Sequence, residues 1–232
     1  MRPTTLSATT FLLTLALAQS TSPKRGLCHV TDNGNPEDDA IWLAGPSNPT
    51  WYYNYGASPS SAYTSHPSLQ FVPMLWGASN TDTGRPFYDN IKAQIDGGAN
   101  ITHVLAFNEP DASFSVGGSN LAVNLAAQRW IADIQPLRDL GIKVGAPAVT
   151  GAQSGWTWMK NWLAACDGKC TPDFYPVHWY GNFEGMMSHV GRVVASYPGK
   201  EVWITEYALP KQGLEETQQF FNSSLRSFDG WA

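Results

Sequence analysis

This 232-residue chain is short of charge, of cysteine and of long apolar runs. Each shortage closes off a class of function. Charged residues make up 14% of the chain and the net charge is −5. A phosphate backbone needs a basic face, so nucleic acid is not an expected partner. Past the N-terminus no stretch is long and apolar enough to span a bilayer. The three cysteines and five histidines show no metal-ligand spacing, so neither a metal nor another cofactor is expected. No internal repeat or low-complexity segment stands out beyond a Ser/Pro-rich loop from Ala57 to Ser68.

What the chain has in excess is aromatic surface. Aromatics reach 12%, with ten tryptophans. Most large aromatics fill cores. The surplus also suits carbohydrate, whose apolar C–H faces stack on rings while its hydroxyls seek polar neighbours.

The N-terminus carries an address. Arg2 precedes the short apolar run Phe11 to Ala18, and Ala16-Leu17-Ala18 has a small-x-small cleavage pattern. Residues 1–18 are read as a secretory signal peptide and set aside from the fold. An extracellular or cell-wall destination follows. In that oxidising setting Cys166 and Cys170 are expected to form a small disulfide loop. Cys28, on an apolar first strand, is expected to be a buried thiol. Asn100 and Asn222 begin N-glycosylation sequons.

Strand-like and helix-like segments alternate. Strands are predicted at 26–30, 51–55, 71–76, 102–107, 143–147, 174–180 and 202–205. Helical spacing falls at 87–95, 121–140, 156–165, 190–197 and 214–228. Alternation of this kind implies a parallel sheet. Prolines inside several strands suit a tightly curved barrel better than an open sheet. The expected fold is α/β, a (β/α)8 TIM barrel occupying 24–232. Seven strands are counted, so the barrel is expected to be truncated before its eighth.

Two predicted strands end in glutamate: Thr102 to Glu109 and Glu201 to Glu206. The C-terminal ends of barrel strands carry the active site. A pair of carboxyl groups there meets the need of glycosidic cleavage for one acid and one nucleophile or base. Pro110 is expected to hold Glu109 extended by disfavouring a helical conformation before it. Asn108 could offer its amide to a sugar hydroxyl. Asp111 is read as a cap rather than a catalytic group.

Phe71-Val72-Pro73-Met74-Leu75-Trp76-Gly77, Asn108-Glu109-Pro110-Asp111, His178-Trp179-Tyr180-Gly181 and Trp203-Ile204-Thr205-Glu206-Tyr207 occur in this order. Together they resemble the fungal glycosyl hydrolase catalytic core family, glycoside hydrolase family 128. The resemblance runs from about residue 24 to 228. It implies a retaining endo-β-1,3-glucanase, with Glu109 as acid/base and Glu206 as nucleophile. His178 and Tyr180 are supporting candidates, Tyr180 by hydrogen-bonding Glu206. Trp76, Trp179, Tyr53, Asn54 and Tyr55 form the candidate substrate-binding set. Alternation puts Tyr53 and Tyr55 on one face of their strand and Tyr52 and Asn54 on the other, leaving open which pair meets the cleft. The expected partner is a polysaccharide acted on by a monomer. The alternatives are a β-1,4-glycan hydrolase of the same barrel type and a β-glucan-binding wall protein without turnover.

Overall fold

The computed structural model describes residues 24–30, 38–44 and 49–231, so the segment read as a signal peptide lies outside the described residues. The fold is mixed α/β. Seven strands occur among the described residues: β1 (Gly26–Cys28), β2 (Trp51–Tyr53), β3 (Gln70–Phe71), β4 (His103–Val104), β5 (Lys143–Val144), β6 (Phe174–Tyr180) and β7 (Glu201–Ala208). The helices are α1 (Asp38–Ala44), α2 (Pro86–Asp96), α3 (Val123–Arg129), α4 (Gln153–Cys166), α5 (Phe183–Ser196) and α6 (Leu214–Asp229). Helix α1 lies where no element was predicted.

All strand pairs are parallel. They form a three-stranded sheet β1-β2-β3 and two pairs, β4-β5 and β6-β7. Single parallel bridges, Met74 with Leu105 and Gly145 with Phe174, link the sheets in chain order. Prolines explain why β3 and β5 are shorter than the sequence suggests. Pro73 and Pro147 have no N–H to give a ladder, so regular pairing stops and only isolated bridges continue. Strand β6 runs the full predicted 174–180, and β7 extends to Ala208, three residues past its prediction.

Period-two alternation sorts the side chains into two cores. Val104 and Ala106 join a large cluster with Ile91, Trp130, Leu137 and Trp162 from the helices. Leu105 faces the other way and packs with Tyr53, Val72, Met74 and Phe174. Trp51 and Trp203 lie against that second cluster, their rings 5.0 Å apart. This aromatic floor lies beneath the strand ends. Between β7 and β1 runs an open groove of about 1530 Å³, lined by both strands and by α6.

Helix α3 continues as a π-turn (Trp130–Ile134) and a 3₁₀ stretch (Gln135–Leu140). Pro136 cannot donate to a carbonyl one turn back, and the Gln135 amide reaches Trp130 instead, so the ladder changes pitch there. The π-turn holds Asp133, which is 1% exposed. It accepts from the Phe87 and Tyr88 amides at 3.0 and 3.4 Å, capping α2, and is paired with Arg129.

The sequence expectations for cysteine divide. Cys166 and Cys170 are joined in a disulfide. Cys28, expected to be buried, is exposed on β1. Its strand borders the open groove, so no layer covers the thiol, which donates to the Tyr55 hydroxyl at 3.1 Å.

Candidate active site

Glu109 and Glu206 meet at the C-terminal ends of the strands. Glu206 lies within β7, opposite His178 of β6. The register slips by one residue between Val177 and His178, a bulge that re-aims the side chains beyond it. Glu109 follows the Asn108–Ala148 bridge. Its backbone is not extended, as the proline argument expected, but left-handed, with φ 38°. Pro110 excludes the right-handed helical region, and two hydrogen bonds fix the alternative chosen. The Glu109 amide donates to Ala148 at 2.7 Å, and its carbonyl accepts from Ala112 at 2.9 Å. Such conformations persist where surrounding bonds hold them and concentrate at functional sites.

His178 sits between the two acids. Its Nδ1 is 3.0 Å from Glu109 Oε1 and 3.5 Å from Glu206 Oε2. The ring is 1% exposed and its Nε2 has no protein partner. Nδ1 therefore serves the carboxylates. One oxygen of each glutamate and a His178 ring nitrogen lie within 4.8 Å of one another. A cation there would compete with the existing His178–Glu109 contact.

Glu206 is held by two phenols. Tyr55 donates to Oε1 at 2.7 Å and Tyr180 to Oε2 at 2.8 Å. Burial, then the nearby Cys28 and Glu206, raise the ionisation of Tyr55 far above the usual phenol range. Burial followed by Glu206 does the same for Tyr180. Both rings therefore stay protonated and act as donors.

The structure separates the remaining predicted residues. Tyr55 is not a stacking platform but a hydrogen-bond donor to Glu206. As alternation expects, it shares a face with Tyr53, their rings 5.1 Å apart, while Tyr52 packs in a separate cluster with Tyr63 and Leu69; its backbone just past β2 is left-handed, φ 60°. Tyr53 is 1% exposed, and its hydroxyl donates to the Thr205 carbonyl at 3.0 Å, so it belongs to the floor and not to a binding surface. Asn54 closes the turn after β2, donating to Ser58 and accepting from Gly56, and its side chain is not among the residues lining the cleft. Asn108 lines the cleft beside Glu109 but is 4% exposed and commits its amide to the Gly117 carbonyl at 3.0 Å, so it shapes the loop after Glu109.

Trp76 and Trp179 do line the cleft, which measures about 840 Å³ and also contains Glu109, Glu206, Tyr55, Tyr180 and Val116. Trp179 stacks on His189 with centroids 5.4 Å apart. Gly185 must lack a side chain there, because a Cβ would lie 2.3 Å from the indole. Asp111 does not cap the turn that follows it or α4, neither of which has a side-chain cap, but ties two loops together. It accepts from the Thr150 amide, the Thr150 hydroxyl and Ser154, tying the Glu109 loop to the start of α4. Asn100 and Asn222 are both exposed. Sequence reasoning missed the Tyr55 contact and the exposed Phe114-Ser115-Val116 turn. The two apolar residues five and seven positions after Glu109 were the available signal for the turn.

An α/β fold that brings two carboxyl groups and a shared histidine to parallel strand ends, beside an aromatic cleft, has the makings of a glycosidase. A family model described as "Glycosyl hydrolase catalytic core" matches residues 26–231. The chain belongs to this glycosyl hydrolase catalytic core family. It is similar to a curdlan-specific exo-β-1,3-glucanase of glycoside hydrolase family 128 from Blastomyces gilchristii, solved with glucose. The two are 31% identical, with 91% of this chain and 87% of that one covered and a TM-score of 0.73. An endo-β-1,3-glucanase of the same family from Amycolatopsis mediterranei, solved with laminaritriose, is 26% identical, covering 90% of this chain and 84% of that one with a TM-score of 0.68. A family 128 oligosaccharide-binding protein from Trichoderma gamsii shares the fold at 22% identity, covering 92% and 80% with a TM-score of 0.67. Alkali-sensitive linkage protein 1 of Schizosaccharomyces pombe is 29% identical over 220 residues, 91% of this chain. The chain spans 37% of that relative's length.

Proposed function

We propose that this protein is a secreted, retaining β-1,3-glucan hydrolase that works by double displacement. The observation that carries this reading is the closeness of the carboxylates. One oxygen of each lies within 4.8 Å of the other. Retaining glycosidases hold their carboxyl groups about 5–5.5 Å apart, whereas inverting ones leave about 6.5–9.5 Å for a water. The β-1,3-glucan assignment is supported by the glucanases named above.

The roles follow from the partners. Glu206 accepts from two phenols, an environment that favours the anion, and it is the nucleophile. Glu109 lies in the cleft with one histidine contact and is the acid/base. In the first step Glu206 attacks the anomeric carbon. The bond to the leaving oxygen breaks, and that oxygen takes the proton of Glu109. In the second step Glu109 accepts a proton from water as the water attacks the same carbon. The ester to Glu206 breaks and both residues regain their starting states. His178 orients both carboxylates through Nδ1.

In this reading the seven strands follow the order of a (β/α)8 barrel, and the groove between β7 and β1 is the position of its remaining strand. Residues 1–18 serve as the export signal, and the Cys166–Cys170 disulfide suits an oxidising destination.

The test is hydrolysis of laminarin by wild type, Glu206→Gln and Glu109→Gln, with proton NMR of the first-formed anomer. Wild type should release β-anomer, and both variants should lose at least about a thousandfold in kcat. Release of α-anomer would overturn retention. Binding of laminarin without turnover by wild type would leave a glucan-binding protein instead.

A further inference from the structure

We propose that Phe114, on the turn that follows the acid/base, is an outer platform for one glucosyl unit beyond those held in the cleft, and that it sets a preference for long glucan chains. The inference rests on the glucan reading above. Phe114 and Val116 are 65% and 70% exposed, large apolar side chains turned toward solvent. They flank a single residue in the loop that carries Glu109. Val116 lines the cleft, and Phe114 lies just outside it. The Phe114 ring is nearly parallel to that of Trp76, at 27° with centroids 6.1 Å apart. Trp76 lines the cleft, so the Phe114 ring stacked on it extends the apolar lining to the rim as a shelf.

The shelf is rigid, which distinguishes it from a loose hydrophobic tip. The amides of Val116 and Gly118 both donate to the Ser113 carbonyl, at 3.1 Å each, and Gly117 donates to Phe114 at 3.2 Å. Asn120 donates to Ala112 at 3.0 Å, closing the base of the turn. Asn108 grips it from the side at the Gly117 carbonyl. Gly118 permits the close return of the chain, since a Cβ there would lie 2.4 Å from the Ala112 carbonyl oxygen. An aromatic ring displayed on a fixed support loses little entropy on binding. A sugar ring presents a C–H face of matching size, and the shelf is continuous with the cleft that holds the reacting carboxylates. A chain too short to reach past Trp76 gains nothing from Phe114, which gives the site its length dependence.

Calorimetric titration of the Glu206→Gln variant with β-1,3-linked glucose trimer and hexamer reads binding apart from turnover. In Glu206→Gln carrying Phe114→Ala, the ratio of hexamer to trimer affinity should fall about fivefold, the size of one ring contact. Phe114→Trp should restore it. Should Phe114→Ala fail to fold by circular dichroism, Phe114→Leu, apolar but ringless, reads the same ratio. An equal loss for both lengths, no loss, or a Phe114→Trp protein as poor as Phe114→Ala would overturn the platform. A wild type that binds neither oligomer overturns this inference together with the glucan reading. Length-dependent binding through Phe114 without laminarin turnover overturns hydrolysis and leaves the platform standing.

Discussion

Replacing Tyr55 by Phe removes one hydroxyl from the nucleophile's surroundings, and with it an acceptor of the exposed Cys28 thiol. In the free enzyme this hydroxyl donates to Glu206 Oε1 at 2.7 Å in a partly buried setting. Hydrogen bonds to a charged group contribute about 1.5–3 kcal/mol. The double-displacement cycle uses this bond unevenly. As Glu206 becomes an ester it loses its charge, and the bond weakens. As the ester breaks, the charge returns and the bond is remade. If half the charge has returned at the second transition state, about 0.8–1.5 kcal/mol is lost there in the variant, a slowing of about 4- to 12-fold. The first step does not slow, because the same deletion raises the energy of the starting anion by more than that of its half-neutralised transition state. Tyr55→Phe should therefore accumulate glycosyl-enzyme. With an aryl β-laminaribioside bearing a good leaving group, rapid mixing should show a burst of phenol followed by a steady rate reduced by that factor. Tyr180→Phe should act in the same direction but less, because its bond to Oε2 lies in solvent, where it is screened. A steady rate within twofold of wild type, or a fall in the burst with no change in the steady rate, would refute this account of Tyr55.

Three further outcomes follow from groups outside the reaction. Asp133→Ala strips a buried partner from Arg129 and two amide caps from α2. Urea unfolding should show a loss of about 3–5 kcal/mol, with much of it recovered when Arg129→Met is added. His189 is buried between Trp156 and Trp179, and burial, then Arg192 and His178, lower its pKa. The unfolded chain therefore takes up this proton first, and the stability contributed by neutral His189 is fully present above about pH 6.5 and lost as pH falls through the window below it. Melting temperature against pH should fall less steeply from pH 7 to 5 in His189→Phe than in wild type. Converting Cys166 and Cys170 together to Ser opens a loop of sequence separation 4, so unfolding should show a cost of about 2 kcal/mol.

The legible parts of the fold are the long, plainly patterned elements. Strand β6 begins and ends where the sequence places it, its pairing with β7 running on through Pro176, which lies opposite Trp203. The α2, α4 and α6 spacings were equally plain, with bounds moving by a few residues at most. Misreadings fell where a local rule left the choice to neighbours. Alternation puts Tyr53 and Tyr55 on one face, as found, but it does not say which hydroxyl is buried against Thr205 and which reaches Glu206. Pro110 did exclude the helical region for Glu109, yet it does not choose between extended and left-handed backbone. That choice is made by Ala148 and Ala112, which sequence separation hides. Cys28 was judged by the apolar run around it, whereas its exposure depends on which neighbour covers β1.

The same comparison explains why the acids were visible in the sequence and their environment was not. A glutamate that ends an apolar strand is a local signal, because strand and acid are adjacent in the chain. The groups that give each acid its character come from elsewhere. Glu206 takes its donors from β6 and from the residue that turns the chain after β2, 151 residues away. Glu109 takes its contact from His178, 69 residues away. A tyrosine can be a core ring, a stacking face or a hydroxyl donor, and its residue type does not choose among them. Tertiary neighbours choose: Tyr53 meets the Thr205 carbonyl, and Tyr55, on the same face, meets Glu206. Roles therefore attach to the pair of acids through long-range contacts, and a substitution at Tyr55 tests the assignment of Glu206 more directly than any change near Glu206 in the chain.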